Sequence, residues 1–87
     1  MSTKKQNNVH KFSECVTEQD VAYPGNGGWN SGEQPDFESC RASCRSLGAQ
    51  YFTHNTNTKK NNKACWCKNG NANKKQQVGK VSGATQC

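Results

Sequence analysis

The stretch ACWCK, residues 64–68, decides the fold because it places two cysteines one residue apart. On a β-strand, Cys65 and Cys67 point to the same face about 6.6 Å apart, since each residue rises about 3.3 Å. The segment CRASC, residues 40–44, contains a second pair, and on a helix residues four apart are neighbours roughly 5–6 Å apart. Two disulfides can therefore join a helix to a strand laid across it. Trp66, between the strand cysteines, is predicted to point to the opposite face of the sheet.

A zinc site is the main alternative for these four cysteines, and their spacing argues against it. Structural zinc ligands usually come from tight turns with about two to four residues between paired cysteines. Here the pair in CRASC lies within a predicted helix, and the pair in CWC is too closely spaced to match. A redox C-x-x-C motif is absent, and a reactive thiol needs an exposed position and a lowered pKa. We therefore expect disulfides, with no metal and no other cofactor.

The chain has too few apolar residues to form a large core. Hydrophobic residues make up 30% of it, with a single leucine and no isoleucine. An even number of cysteines, six, in a short polar chain is typical of a disulfide framework formed in an oxidising compartment. Residues 1–11 lack the apolar segment of a secretory signal. We interpret them as a linker or an added tail before a single domain, residues 12–87, and expect no membrane insertion.

The segment PDFESCRASCRSLG, residues 35–48, predicts the one helix of the chain. Pro35 suits the first helical position, and acidic residues in the first turn interact favourably with the helix dipole. Gly48 suits the position just after the last turn. The remaining apolar residues recur at intervals of three and four, so they are predicted to form one buried stripe: Phe37, Cys40, Cys44 and Leu47.

The rest of the chain predicts short strands joined by polar loops. Strands are predicted at residues 49–56 and 64–69, a strand or strand pair at 78–87, and shorter extended pieces at 12–16 and 21–23. Glycine-rich or polar segments are predicted to be exposed loops: residues 24–35, 57–63 and 69–77. Together these elements predict an α+β domain, in which one α-helix packs on a small antiparallel β-sheet and three disulfides stabilise the fold.

Charge is distributed unevenly along the chain, whose net charge is +6. All six acidic residues precede residue 40, and the segment after it contains nine basic residues and no acidic one. Such asymmetry favours an acidic partner, such as a sulfated or sialylated glycan or an acidic protein, although solubility alone also explains it. The candidate contacts are exposed loop lysines and one loop tryptophan, which is more often a packed anchor than a ligand platform: Lys59, Lys60, Lys63, Lys68, Lys74, Lys75 and Trp29.

The order of these motifs resembles that of PAN/apple modules. The motifs are CVTEQDVAYPGN from Cys15, the cysteine pair on the helix, YFTH, CWCK and VSGATQC ending at Cys87. The resemblance implies a disulfide between Cys15 and Cys87. Mammalian apple modules have a further cysteine just before the strand that corresponds to YFTH, and residues 48–50 contain none. Since Cys67 takes its place, the chain looks most like the apple modules of coccidian (Eimeria-type) microneme adhesive proteins.

The inner disulfide pairing remains open at the level of sequence. The order of cysteines in the family implies Cys40–Cys67 with Cys44–Cys65. Direct alignment of the CWCK motif implies Cys40–Cys65 with Cys44–Cys67. Both pairings suit two cysteines on a helix facing two on a strand.

The resemblance implies a non-catalytic extracellular adhesion module, secreted through micronemes to the parasite surface. Its expected partners are host-cell surface proteins or glycans and neighbouring modules of the same chain. The alternative is an architectural module that spaces domains or binds a partner protein of the same complex. We expect no enzymatic activity, because no nucleophile motif is present and His54 is interpreted as a packed or surface imidazole. Nucleic acid is not expected as a partner, since disulfides indicate the wrong compartment.

Overall fold

The computed structural model describes residues 16–56 and 63–86, which form one helix and five strands. Every strand pairing is antiparallel, and the order across the sheet is β1-β5-β3-β4-β2. The predicted α+β class, with one helix on a small antiparallel sheet, is therefore confirmed. The elements are β1 (Thr17–Ala22), β2 (Trp29–Glu33), α1 (Phe37–Ser46), β3 (Tyr51–Asn55), β4 (Ala64–Lys68) and β5 (Lys75–Ala84).

Helix α1 is bounded by a side-chain cap and a glycine. The Asp36 carboxylate accepts a hydrogen bond from Ser39 N at 2.8 Å, so Asp36 is the N-cap and the prediction of Pro35 as the first helical residue is wrong. Gly48 follows the last turn with a φ of 88°, as predicted for a residue in the left-handed region. Leu47 is 53% exposed, because it caps the helix beyond the last regular turn. Its assignment to the buried stripe is therefore wrong.

The core between α1 and the sheet is thin and rich in sulfur. Cys40, Cys44 and the two cysteines of β4 are fully buried there, together with Phe52 and Val81. Phe37 is partly buried and stacks on Phe52 with ring centroids 6.3 Å apart. So few apolar side chains bury little surface, and the disulfides therefore contribute much of the stability of this region.

Several strand bounds differ from the sequence predictions, and β1 spans Thr17–Ala22 where only residues 21–23 were predicted to be extended. The glycine-rich segment predicted as a loop contains β2, which pairs only with β4 at the edge of the sheet. The pairing shifts between Asn30 and Gly32, and Gly32 adopts a φ of 101° that suits glycine at a bulge. Strand β5 begins at Lys75 rather than at residue 78, because Lys75 pairs with Ala22 of β1. Of the extended piece predicted at residues 12–16, Val16 alone lies within the described residues, and it precedes β1.

A hydrogen-bonded group of side chains covers the middle of the other sheet face. Thr53 and Ser82 lie opposite each other on β3 and β5, and their hydroxyl oxygens are 2.7 Å apart. The Ser82 hydroxyl donates to Val21 O at 2.6 Å, so the Thr53 hydroxyl donates to Ser82. Thr53 in turn accepts from Tyr23 N at 3.2 Å. Every polar group of this buried chain is therefore satisfied, and residues 21–23 are fixed against the sheet.

Candidate functional site

Two disulfides join α1 to β4 and fix the strand that carries Trp66. Cys40 bonds to Cys65 and Cys44 bonds to Cys67, with Cα–Cα distances of 5.5 Å and 5.1 Å. This is the pairing implied by aligning the CWCK motif directly. Both strand cysteines are buried toward the helix, as the period-2 alternation requires. Cys15 and Cys87 lie outside the described residues, so their bond stays a prediction.

The four inner cysteines are close enough together to raise the question of a metal site. The sulfur atoms of Cys40, Cys44 and Cys65 all lie within 4.8 Å of one another. Each of these sulfurs belongs to a disulfide, however, and a disulfide sulfur lacks the thiolate charge by which cysteine binds zinc. In this oxidised form, the cluster is a structural crosslink.

Trp66 lies on the sheet face opposite α1, as the alternation predicts, and lines two adjacent clefts. The wider cleft, of about 400 Å³, is bordered on the β2 side by Asn30 and Glu33. The smaller cleft, of about 140 Å³, is bordered by Thr53 and by two lysines, Lys68 and Lys80. We call this surface the Trp66 face and define it by its exposed or partly exposed side chains: Asn30, Glu33, Trp66, Lys68 and Lys80.

The two lysines of the Trp66 face are partly buried. The Lys80 ammonium lies 4.8 Å from the centroid of the Trp66 ring, which is a favourable cation–π distance. The Lys68 ammonium donates to Gly25 O at 3.2 Å. Burial lowers the pKa of both Lys68 and Lys80 below its ordinary value. Within residues 16–56 and 63–86, no carboxylate lies within ion-pair distance of either ammonium group.

Lys74 shows the opposite arrangement, because its charge is compensated. Its ammonium lies 2.8 Å from the Glu18 carboxylate and 5.7 Å from the centroid of the Tyr23 ring. The hydrogen bond from Lys74 is the main cause that lowers the pKa of Glu18, with a further contribution from the Tyr23 hydroxyl. Burial, followed by the neighbouring Glu18 carboxylate, raises the pKa of Tyr23. Lys74 is therefore part of a structural network.

The structure does not bring the remaining sequence candidates together with Trp66. Lys75 is exposed on β5, and Lys63 is exposed beside the start of β4. Trp29 is 38% exposed and lies opposite Cys67, which places it on the helix side of the sheet. Lys59 and Lys60 lie outside the described residues. Of the five candidates within the described residues, Lys68 is the one that lines the clefts.

Sequence analysis missed Lys80, Asn30 and Glu33 as neighbours of Trp66. Lys80 lies two residues before Ser82 on β5, so both point to the same face, and a predicted strand there fixes that face. Its place beside Trp66 follows from the pairing of β5 and β4 on either side of β3, which is long-range information. Asn30 and Glu33 were missed because β2 was predicted to be a loop.

His54 is buried on the helix side of the sheet, as one of the two sequence interpretations required. It is 1% exposed, and its Nε2 lies 2.9 Å from Gln34 O. A carbonyl only accepts, so Nε2 carries a proton and donates to it. Nδ1 has no hydrogen-bond partner among the described residues. His54 lies opposite Cys65 of a disulfide, and the imidazole therefore has a packing role in this structure.

No protein-family model, no curated protein and no solved structure matches the chain. The resemblance to PAN/apple modules therefore rests on the sequence motifs quoted above alone. No helix in the described part of the chain has the length and hydropathy needed to cross a membrane.

Proposed function

We propose that this protein is a non-catalytic adhesion module of the PAN/apple type, which contacts a host-cell surface glycan or protein through its Trp66 face. The observation that carries the proposal is the pair of partly buried lysines beside an accessible tryptophan, with no carboxylate paired to them in the described structure. Aromatic and cationic side chains in one cleft are typical of binding surfaces.

The scaffold suits a module that works outside the cell. Disulfides connect α1 to the strand that carries Trp66, so the strand is fixed without a large apolar core. Such frameworks are typical of small secreted domains. By its resemblance to microneme apple modules, we place the protein in the secretory organelles of a parasite and then on the parasite surface, beside other modules of the same chain.

The proposal is tested by measuring the binding of the oxidised module to cultured host cells by flow cytometry. A single module and a tandem of several copies are compared, because linking weak sites raises the apparent affinity by a factor of roughly 10² to 10⁴. We expect the tandem to bind. Raising the salt concentration should weaken the binding, because exposed charges interact over about 8 Å at physiological ionic strength and over a shorter distance at higher salt. Reduced, unfolded module is the control.

Enzymatic removal of surface glycans or of surface proteins then separates the two classes of partner. Loss of binding after glycan removal supports a glycan, and loss after proteolysis alone supports a protein. If the tandem binds no better than the reduced control, the adhesion function is contradicted. The architectural alternative is then favoured.

A further inference from the structure

The smaller cleft carries a positive charge that the described protein does not neutralise. Lys68 and Lys80 both line it and both are partly buried, whereas the one ion pair in the described residues joins Lys74 to Glu18. Two ammonium groups that line one partly buried cleft are more favourable when an anion lies beside them. The cleft is therefore electrostatically suited to a carboxylate or sulfate group.

The two clefts differ in volume and therefore suit different parts of one ligand. The wider cleft, of about 400 Å³, falls within the range of small-molecule sites, roughly 300–1,000 Å³, and the smaller cleft, of about 140 Å³, falls below it. Trp66 borders both, so a ligand ring in the wider cleft lies against the indole while a charged substituent reaches the lysines. Asn30 and Glu33 border the wider cleft and offer a donor and acceptors for hydroxyl groups.

We propose that the Trp66 face binds one acidic monosaccharide unit of a glycan, with its ring against Trp66 and its carboxylate or sulfate at Lys68 and Lys80. This inference rests on the proposed adhesion function and names the ligand class of its site. The favoured ligand is a uronic acid or a sulfated hexose, since both combine a pyranose ring with one negative charge.

An acidic peptide fits the same surface less well. A run of Asp or Glu residues brings further carboxylates toward Glu33, and like charges repel each other in a partly desolvated site. Such a peptide also has no ring of hydroxyl groups to place between Trp66 and Asn30. The geometry therefore favours the sugar, and an acidic amino acid serves as a comparison ligand.

The experiment is a titration of the oxidised protein followed by NMR of the tryptophan indole N–H groups. A Trp29→Phe background leaves the Trp66 signal alone, and Trp29 lies on the other side of the sheet. The probes are methyl glucuronide, glucose 6-sulfate, methyl glucoside and N-acetylglutamate. We expect each of the two acidic sugars to shift the Trp66 signal until the shift saturates. The sugar that binds with the higher affinity identifies the preferred anion. Saturation by methyl glucoside or N-acetylglutamate at equal concentrations overturns the proposal.

Charge variants test which lysines act. Lys68→Gln and Lys80→Gln should each weaken acidic-sugar binding roughly tenfold, because each removes a charge-assisted hydrogen bond. Arg45→Gln removes the same charge from an exposed position on α1, across the sheet, and should change the affinity by less than about twofold. Equal weakening by all three variants indicates diffuse attraction to net charge and overturns the proposal. Circular dichroism shows whether each variant is folded.

The same variants separate this inference from the proposed function when they are placed in the tandem and applied to cells. If the tandem binds cells and Lys80→Gln binds them equally well, the adhesion function stands and the Trp66 site is wrong. If the isolated module binds acidic sugars but the tandem does not bind cells, the site stands and the adhesion function fails.

Discussion

At the scale of single residues, the hydroxyl of Thr53 connects β3 to residues 21–23 by hydrogen bonds. It donates to Ser82 and accepts from the buried Tyr23 N, so its removal leaves that N–H without a partner. We expect Thr53→Val to lower the free energy of unfolding by about 1–3 kcal/mol, the cost of an unsatisfied buried group. Urea unfolding measures the change.

Thr56→Val is the matched control for this prediction. The Thr56 hydroxyl donates to Gly79 O at 3.0 Å, but the residue is exposed and water can replace the lost partner. Its effect should stay within about 0.5 kcal/mol. Equal losses in the two variants would show that the buried hydroxyl chain has no special role.

Glu18 links the stability of the protein to pH. Lys74 and Tyr23 hydrogen-bond its carboxylate and lower its pKa below the ordinary value of 4.5. Between the lowered pKa of folded Glu18 and 4.5, the unfolded chain binds more protons than the folded protein. The stability that Glu18 contributes above pH 4.5 is therefore lost as the pH falls through the lowered pKa. We expect Glu18→Gln to show a smaller loss of stability than the native chain between about pH 6 and pH 3, measured by urea unfolding.

Some acid dependence of the stability should remain in Glu18→Gln, because the pKa of Asp36 is also lowered. The largest cause of that lowering is the hydrogen bond from Ser39 N. Lys74→Gln provides the complementary variant, since it removes the main cause of the shift in Glu18 while leaving the carboxylate. Identical pH profiles for all three proteins would contradict the assigned role of this ion pair.

At the scale of elements, the two α1–β4 disulfides are nearly equivalent in the chain. They join residues 25 and 23 positions apart, and the chain-entropy estimate gives about 3.5 kcal/mol for each. We expect Cys40→Ala with Cys65→Ala, and Cys44→Ala with Cys67→Ala, to lower the free energy of unfolding by similar amounts, about 2–5 kcal/mol.

Urea unfolding and non-reducing peptide mapping check this prediction together, because mapping shows that the other bond has kept its partner. The opposite pairing in the native protein, Cys40 with Cys67 and Cys44 with Cys65, would contradict the structure. If either double variant unfolds at the same urea concentration as the native protein, the disulfide that it lacks does not stabilise the sulfur-rich core.

The same element scale shows what the sequence made predictable. The helix and its contact with β4 follow from local spacing, because positions 40 and 44 share a helix face and positions 65 and 67 share a strand face. The inner pairing was left open, since both choices satisfy that spacing. Strand β2 was missed because its stability comes from pairing with β4 and from a bulge at Gly32, rather than from β-forming side chains.

At the scale of the whole molecule, the sheet order determines what surrounds Trp66. Alternation alone placed Trp66 on the face away from α1, as observed. The neighbours of Trp66, however, come from β2, β3 and β5, whose order depends on pairings between residues far apart in sequence. Lys68 was a sequence candidate as an exposed loop lysine, but it lies at the end of β4 and is partly buried, whereas the place of Lys80 required the completed sheet.

The antiparallel pairing of β1 with β5 also supports the predicted bond between Cys15 and Cys87. Thr17 lies opposite Gly83, and Val16 O accepts a hydrogen bond from Ala84 N at 3.0 Å, so described residues near both cysteines are close together. A bond closing so long a loop should stabilise the protein by roughly 4 kcal/mol in the chain-entropy model.

We expect non-reducing peptide mapping to recover the two cysteines in one linked peptide pair. Cys15→Ala with Cys87→Ala should lower the midpoint of urea unfolding while the indole signal of Trp66 keeps its native position, because both α1–β4 disulfides remain. Free thiols at Cys15 and Cys87 in the folded, oxidised protein would contradict the prediction.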